Sequence, residues 1–212
     1  MSPTPRPSPA SGGGRKSSTS AHGEDRRQAL VRAAFNQIAK RGFEGLRTRE
    51  VAAEVGVNIA TLHYYFPTKE ALIRGVIDYA TGRFRSTLAP HGSPADQLRN
   101  HLRAMQALFR EEPRVAGVMA ELALRSNRDP ALARILRETN DAWHKTLRGL
   151  LRRGAREGHL AAELDSDGIA TLIMATLSSM TLPTVAAGGR MEQAFHQLET
   201  LLRPAASRSR TG

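Results

Sequence analysis

The chain has no cysteine in 212 residues. Disulfides, thiol catalysis and cysteine-ligated zinc or iron–sulfur sites are thereby excluded. No apolar run approaches the ~18 residues that a bilayer-spanning helix needs. The first twenty residues lack the apolar segment of a secretory signal, so a cytoplasmic protein without a membrane partner is expected. Alternating β-branched runs bounded by hairpin turns are also missing. Neither HExxH, nor GxSxG, nor a phosphate-binding glycine loop is present, and Gly12-Gly13-Gly14 lies in a Pro- and Ser-rich stretch. The seven histidines are scattered, with no pair at i, i+4. Hence no metal, no cofactor and no enzymatic activity are expected.

What is there is positive charge, unevenly spread. The net charge is +11, with 27 arginines against four lysines. Residues 1–23 carry three basic and no acidic side chains, residues 24–87 eleven and seven, and residues 88–203 fifteen and thirteen. The excess sits in the first two fifths of the chain, which points to a polyanionic partner there. Residues 1–23 are Pro, Ser, Gly and Thr without a periodic apolar residue and read as a disordered basic tail. Residues 204–212 read as a second short tail.

Between the tails, apolar residues recur at helical spacing. Leu30, Val31, Ala34, Phe35 and Ile38 form one stripe, with Gly42 at a helix-stopping position. Ser93-Pro94 and Asp129-Pro130 each place a capping side chain before a proline that starts a helix, and Asp165 is a further cap. An all-α chain of about nine helices follows. The last two stripes, Ile169, Leu172, Ile173 and Leu177, then Phe195 and Leu198, are too apolar for a pair exposed on a monomer. Two from each of two subunits would make a four-helix interface, so a homodimer is expected.

The densest signal is RTREVAAEVGVNIATLHYYF at residues 47–66. It reads as two short helices around Gly56, with Asn58 capping the second. Ala52 is small where the helices must cross, and Val51, Val55, Val57 and Leu62 complete a buried wedge. The outer face is then Ile59, Ala60, Thr61, His63 and Tyr64, a surface that fits a DNA major groove. A plain αα-hairpin within a helical core is the alternative.

Gly42-Phe43-Glu44-Gly45-Leu46-Arg47-Thr48-Arg49-Glu50-Val51-Ala52, then Gly56-Val57, Thr61-Leu62-His63-Tyr64-Tyr65-Phe66 and Lys69-Glu70 resemble the tetracycline-repressor (TetR/AcrR) family. The likeness covers residues 24–84. It departs from the family at Arg47, where threonine is frequent, and at His63, where tyrosine is usual. The resemblance implies a helix-turn-helix DNA-binding domain at 24–84 and a helical effector-binding and dimerisation domain at 85–203. It further implies that Arg47, Thr48 and Arg49 approach phosphates or a base edge. Asn58, Ile59, Ala60 and Thr61 would lie at the groove end of the recognition helix, with His63 and Tyr64 facing the groove and Tyr65 and Lys69 gripping the backbone. Of these, Arg49 is the best direct reader of guanine.

An effector pocket among the central helices is implied too. Its candidate walls are Met105, Met119, Trp143 and Leu147, with His101, Glu121, Asn140 and His144 as polar contacts. The expected function is a homodimeric repressor released from a palindromic double-stranded operator by a small-molecule effector of unread identity. The alternatives are a transcriptional activator of the same fold, a non-specific DNA-packaging protein and a helical enzyme with an accessory DNA-binding domain. Packaging leaves the charge-balanced second half unexplained, and the missing catalytic motif counts against the enzyme.

Overall fold

A computed structural model of the chain describes residues 16–88, 90–186 and 189–203. They form nine α-helices and no strand: α1 (Lys16–Arg41), α2 (Thr48–Glu54), α3 (Ile59–Tyr65), α4 (Lys69–Ser86), α5 (Pro94–Glu111), α6 (Pro113–Ser126), α7 (Pro130–Arg156), α8 (Ser166–Ser179) and α9 (Arg190–Leu201). A 3-10 turn, Phe43–Gly45, precedes α2, and a single α-turn, Pro183–Ala186, precedes α9. The chain is all-α, as its periodicity requires.

Local chemistry sets the helix ends. Gly42 and Gly56 take φ of 71° and 72°, a left-handed backbone that closes α1 and turns α2 into α3. Asn58 accepts from the Thr61 N–H at 2.8 Å, and Asp129 from the Leu132 N–H at 3.1 Å. Ser93 and Asp96 form a reciprocal capping box with Pro94 inside it. The Ser93 hydroxyl beside Asp96 holds its carboxyl below the usual carboxylate range. At the N-terminus the expected tail is overturned in part. Residues 16–23 are the first turns of α1, because adding a residue to a formed helix needs no new nucleus. Residues 1–15 and 204–212, the rest of the expected tails, lie outside the described residues.

Two apolar clusters hold the helices, and they cut across the expected boundary at 84/85. The first joins α1 to α4 with Val115, Val118 and Leu122 of α6 and Leu132, Ile135 and Leu136 of α7. The second joins α5, Ala116, the rest of α7, α8 and α9. Each fully buried Leu or Ile contributes about 1.5–3 kcal/mol, so the α6 and α7 side chains are a substantial part of the first cluster. Phe35 meets Tyr79 edge to face at 5.3 Å where α1 crosses α4.

Two positions in this packing generate predictions. Gly75 of α4 lets α1 approach, since a Cβ there would stand 2.9 Å from Val31 Cγ2 and 3.2 Å from the Phe66 ring. Gly75→Val should lower stability by about 1–3 kcal/mol in urea unfolding, although glycine is a poor helix former. His101 of α5 is fully buried. Thr87 donates its hydroxyl to the Phe84 carbonyl at 2.7 Å, so it accepts from His101 Nδ1–H, also at 2.7 Å. The neutral imidazole therefore leaves Nε2 as an acceptor, and among the described residues that atom has no hydrogen-bond partner. Burial pushes the His101 pKa from its ordinary 6.5 down to about 4. Between those values the unfolded chain binds the extra proton. Stability is thus undiminished above the unfolded value and falls as pH drops toward the folded one, by up to about 3 kcal/mol. Unfolding free energies at about pH 7 and about pH 4.5 should differ less in His101→Phe than in the wild type. An unchanged difference would contradict the buried, neutral assignment.

Candidate nucleic-acid interface and interior cavity

The turn at Gly56 rests on a few contacts. Val57 N–H donates to the Ala52 carbonyl at 3.0 Å, and Ala52, Val51 and Leu62 are buried beneath it. On α3, Asn58, Ala60, His63 and Tyr64 are exposed, Tyr64 by 81%. Its ring meets that of Tyr65 edge to face at 5.2 Å. Thr61 is half-buried, while Ile59 and Tyr65 are half-buried against the first cluster. The face that α3 offers to a groove is therefore narrower than the sequence suggests. At Gly23, a Cβ would come within 3.7 Å of the Tyr65 hydroxyl, so the start of α1 lies beside the end of α3.

The basic side chains around this face differ in how they are engaged. Arg41 pairs with Glu50 at 2.5 Å. Arg47 donates to the Glu44 and Leu46 carbonyls, which turns it back on the chain. Thr48 is half-buried at the start of α2. Arg49 is exposed and, among the described residues, has neither an ion-pair nor a hydrogen-bond partner. Lys69 is exposed at the start of α4, its ammonium 4.9 Å from the Phe43 ring centre.

Phe43 is also the place where α6 grips this unit. Glu121 does not face the interior. Its carboxylate accepts from the Phe43 N–H at 2.9 Å, and Arg125 pairs with Glu44 at 2.5 Å while lying over the Phe43 ring. The expectation of Glu121 as a ligand contact is corrected: one helical face earlier, Met119 points the other way.

A cavity of about 380 Å³ lies on that other side. Met105, Met119, Asn140 and Trp143 line it. Leu147 does not, being buried in the second cluster. His144 turns instead to α8, meeting the Asp167 carbonyl and the Thr171 hydroxyl at 3.3 and 3.2 Å. His101 sits behind the wall, its ring 6.0 Å from that of Trp143. Sequence reasoning missed Thr81, Phe84 and Arg85, which line the cavity from α4, Leu88 just beyond its end, and Ser178 from α8. The spacing of the α4 set, i, i+3 and i+4, was the available signal. Met119, Leu136 and Phe84 pack on the first cluster and Met105, Phe109 and Leu177 on the second, so the cavity occupies the seam between the cores.

The expected interface residues divide as well. Ile173, Leu177, Phe195 and Leu198 are buried inside this protomer. A stripe at helical period says that a face is covered, not by which molecule, and here α5 and α7 cover it. Leu172 is 45% exposed and Ile169 half-buried, and with Leu164 and Leu201 they border a shallow apolar groove between α8 and α9. Leu182 and Val185, past the C-terminal end of α8, are exposed too. Among the described residues no cluster of His, Asp or Glu could hold a metal ion, and no helix is long and apolar enough to cross a membrane.

Comparison with known proteins agrees with this arrangement. Residues 30–76 match the sequence profile described as "Bacterial regulatory proteins, tetR family". Residues 94–204, just over half of the chain, match that described as "BetI-type transcriptional repressor, C-terminal". The HTH-type transcriptional dual regulator CecR of Shigella flexneri is 33% identical over 89 residues, 42% of this chain and 40% of that one. The nucleoid occlusion factor SlmA of Haemophilus influenzae is 24% identical over 188 residues, 85% of this chain and 86% of that one. A crystal structure of a TetR transcriptional regulator from Chloroflexus aurantiacus superimposes with a TM-score of 0.71 at 26% identity, over 87% of this chain and all of that one.

Proposed function

Because the chain belongs to the tetR family of bacterial regulatory proteins and is a DNA-binding transcriptional regulator, we propose that it works as a homodimeric repressor whose operator affinity is lowered by a small molecule in the seam cavity. One observation carries this reading. The cavity shares α4 and α6 with the helix-turn-helix unit: Thr81, Phe84 and Met119 line it, while Lys69, Glu121 and Arg125 surround Phe43. A ligand that displaces either helix acts on the base of α2 and α3.

In a two-fold dimer, two recognition helices must stand ~34–36 Å apart to enter successive major grooves. A small tilt of α4 changes that spacing. The ligand shifts the equilibrium only by its differential affinity for the two arrangements, typically ~1–3 kcal/mol, and operator DNA must weaken ligand binding by the same factor. On α3, Asn58, Ala60, Thr61, His63 and Tyr64 are the proposed groove-facing residues, and Ile59 can reach a thymine methyl only from its exposed edge. Arg49, whose side chain has no partner among the described residues, is the proposed reader of guanine. Arg47, Thr48, Tyr65 and Lys69 are proposed at the backbone, where contacts position the protein without specifying sequence.

Dimerisation is assigned to the exposed side of α8 with Leu172, Ile169 and the Leu182 and Val185 segment, in place of the buried side. The apolar groove beside Leu201 gives that face its depth.

A footprint on DNA selected from random sequence should show two half-sites about one helical turn apart; uniform protection without a preferred site would refute the reading. Tyr64→Ala should weaken binding to that site. Lys69→Ala should weaken binding to all sequences and flatten the logarithmic salt dependence by about one unit. Leu172→Glu should sediment as a helical monomer with half-site binding only, since each carboxylate would face its own copy across the axis. Phe195→Glu, by contrast, should unfold the protomer, because it buries an unpaired charge in its core.

A further inference from the structure

Among the described residues the cavity walls carry one guanidinium and no acid. No Asp, Glu, Lys or His among the described residues lines the cavity, and Arg85 is its one charged side chain. Arg85 belongs to the last turn of α4, whose other arginine, Arg83, pairs with Glu112. Farther along α4, Arg74 pairs with Glu138 at 2.8 Å. The Arg85 guanidinium, by contrast, has no ion-pair or hydrogen-bond partner among the described residues.

The neutral polar groups divide into acceptors and donors. Thr139, Thr146 and Thr181 donate their hydroxyls to the Ile135, Ala142 and Ser178 carbonyls at 2.9, 3.0 and 2.8 Å. Their protons are committed to the helices. The side chains of Asn140 and Ser178 are not committed among the described residues and remain as donors. Phe84, Phe109 and Trp143 supply aromatic wall, with Phe84 and Phe109 edge to face at 5.6 Å.

We propose that the occupant of this cavity is a monoanionic amphiphile, a carboxylic acid with an aromatic or alkyl body, whose carboxylate is held at the rim by Arg85. The assignment rests on the reading of the cavity as the effector site and names the chemical class of that effector. A guanidinium offers two parallel N–H groups to a carboxylate, and no acid in the walls repels it. A cationic ligand would meet Arg85 without a counter-charge, and a neutral one would leave Arg85 unused. Since Arg85 lies on α4, the bound carboxylate also takes hold of the end of the helix that begins at Lys69.

Three ligands with one body test the class: phenylhexanoate, phenylhexanol and phenylhexylammonium. Binding is read by the fluorescence of Trp143, the single tryptophan, and independently by equilibrium dialysis of the full chain. Wild-type protein should bind the acid about tenfold tighter than the alcohol, as a charge-assisted contact provides, and the amine least. The preference for acid should shrink as salt is added, because the rim is open to solvent. Arg85→Gln should abolish the preference, with the acid losing far more affinity than the alcohol, and Arg85→Lys should keep part of it. Equal or tighter binding of the alcohol or amine, or an undiminished preference in Arg85→Gln, overturns the proposal. So does the absence of acid binding by dialysis up to about 1 mM. These results are independent of the footprint on DNA. A footprint with two half-sites and no acid preference would remove the class of ligand alone, whereas loss of the footprint would remove the regulatory reading.

Discussion

The helix-turn-helix unit cannot close its own core. The long α1, the two short helices α2 and α3, and α4 leave an apolar face that Val115, Val118 and Leu122 of α6 and Leu132, Ile135 and Leu136 of α7 complete. Surface-to-volume scaling makes this necessary, because about sixty residues bury too little surface to be stable with much margin. Everything else in the architecture follows from that debt. Helices that belong by sequence to the second half must run down against α1 and the Phe43–Gly45 turn. Their upper portions then have to join a different cluster.

Where α4, α6 and α7 pass from one cluster to the other, packing is incomplete, and the cavity forms there. The polar counterpart of the same constraint is at the turn before α2. Glu121 satisfies the Phe43 N–H, Arg125 pairs with Glu44, and Phe43 lies between Arg125 and Lys69. None of these exposed pairs contributes much alone. Together they fix the angle at which α6 meets the unit, since three directional contacts converge on one short turn.

Local chemistry was readable without coordinates. Asn58, Ser93, Asp129 and Asp165 cap the helices they were expected to cap, because a short oxygen-bearing side chain satisfies the free N–H groups of the next turn wherever the chain goes. Gly42 and Gly56 have the positive φ their turns demand. Partner choice was less readable. Phe195 and Leu198 look alike in sequence whether they cover their own protomer or another. Glu121 and Met119 are two residues apart, so a helix sends them to different faces, and only the neighbours decide which of those meets a cavity. Arg85 was hidden among 27 arginines, and what distinguishes it is its place on the cavity wall, a property of space and not of order along the chain.

The shared core has a consequence for protein engineering. Regulators of this architecture invite recombination, with the reading head of one joined to the sensing half of another at the end of α4. In this chain a cut there would divide a single hydrophobic cluster. A grafted sensor would have to bring along the inner face of α6 and the first two turns of α7, together with an acid at the place of Glu121 and a cation at that of Arg125. The transferable module is therefore discontinuous: residues 24–84 plus a strip of side chains drawn from 115–136.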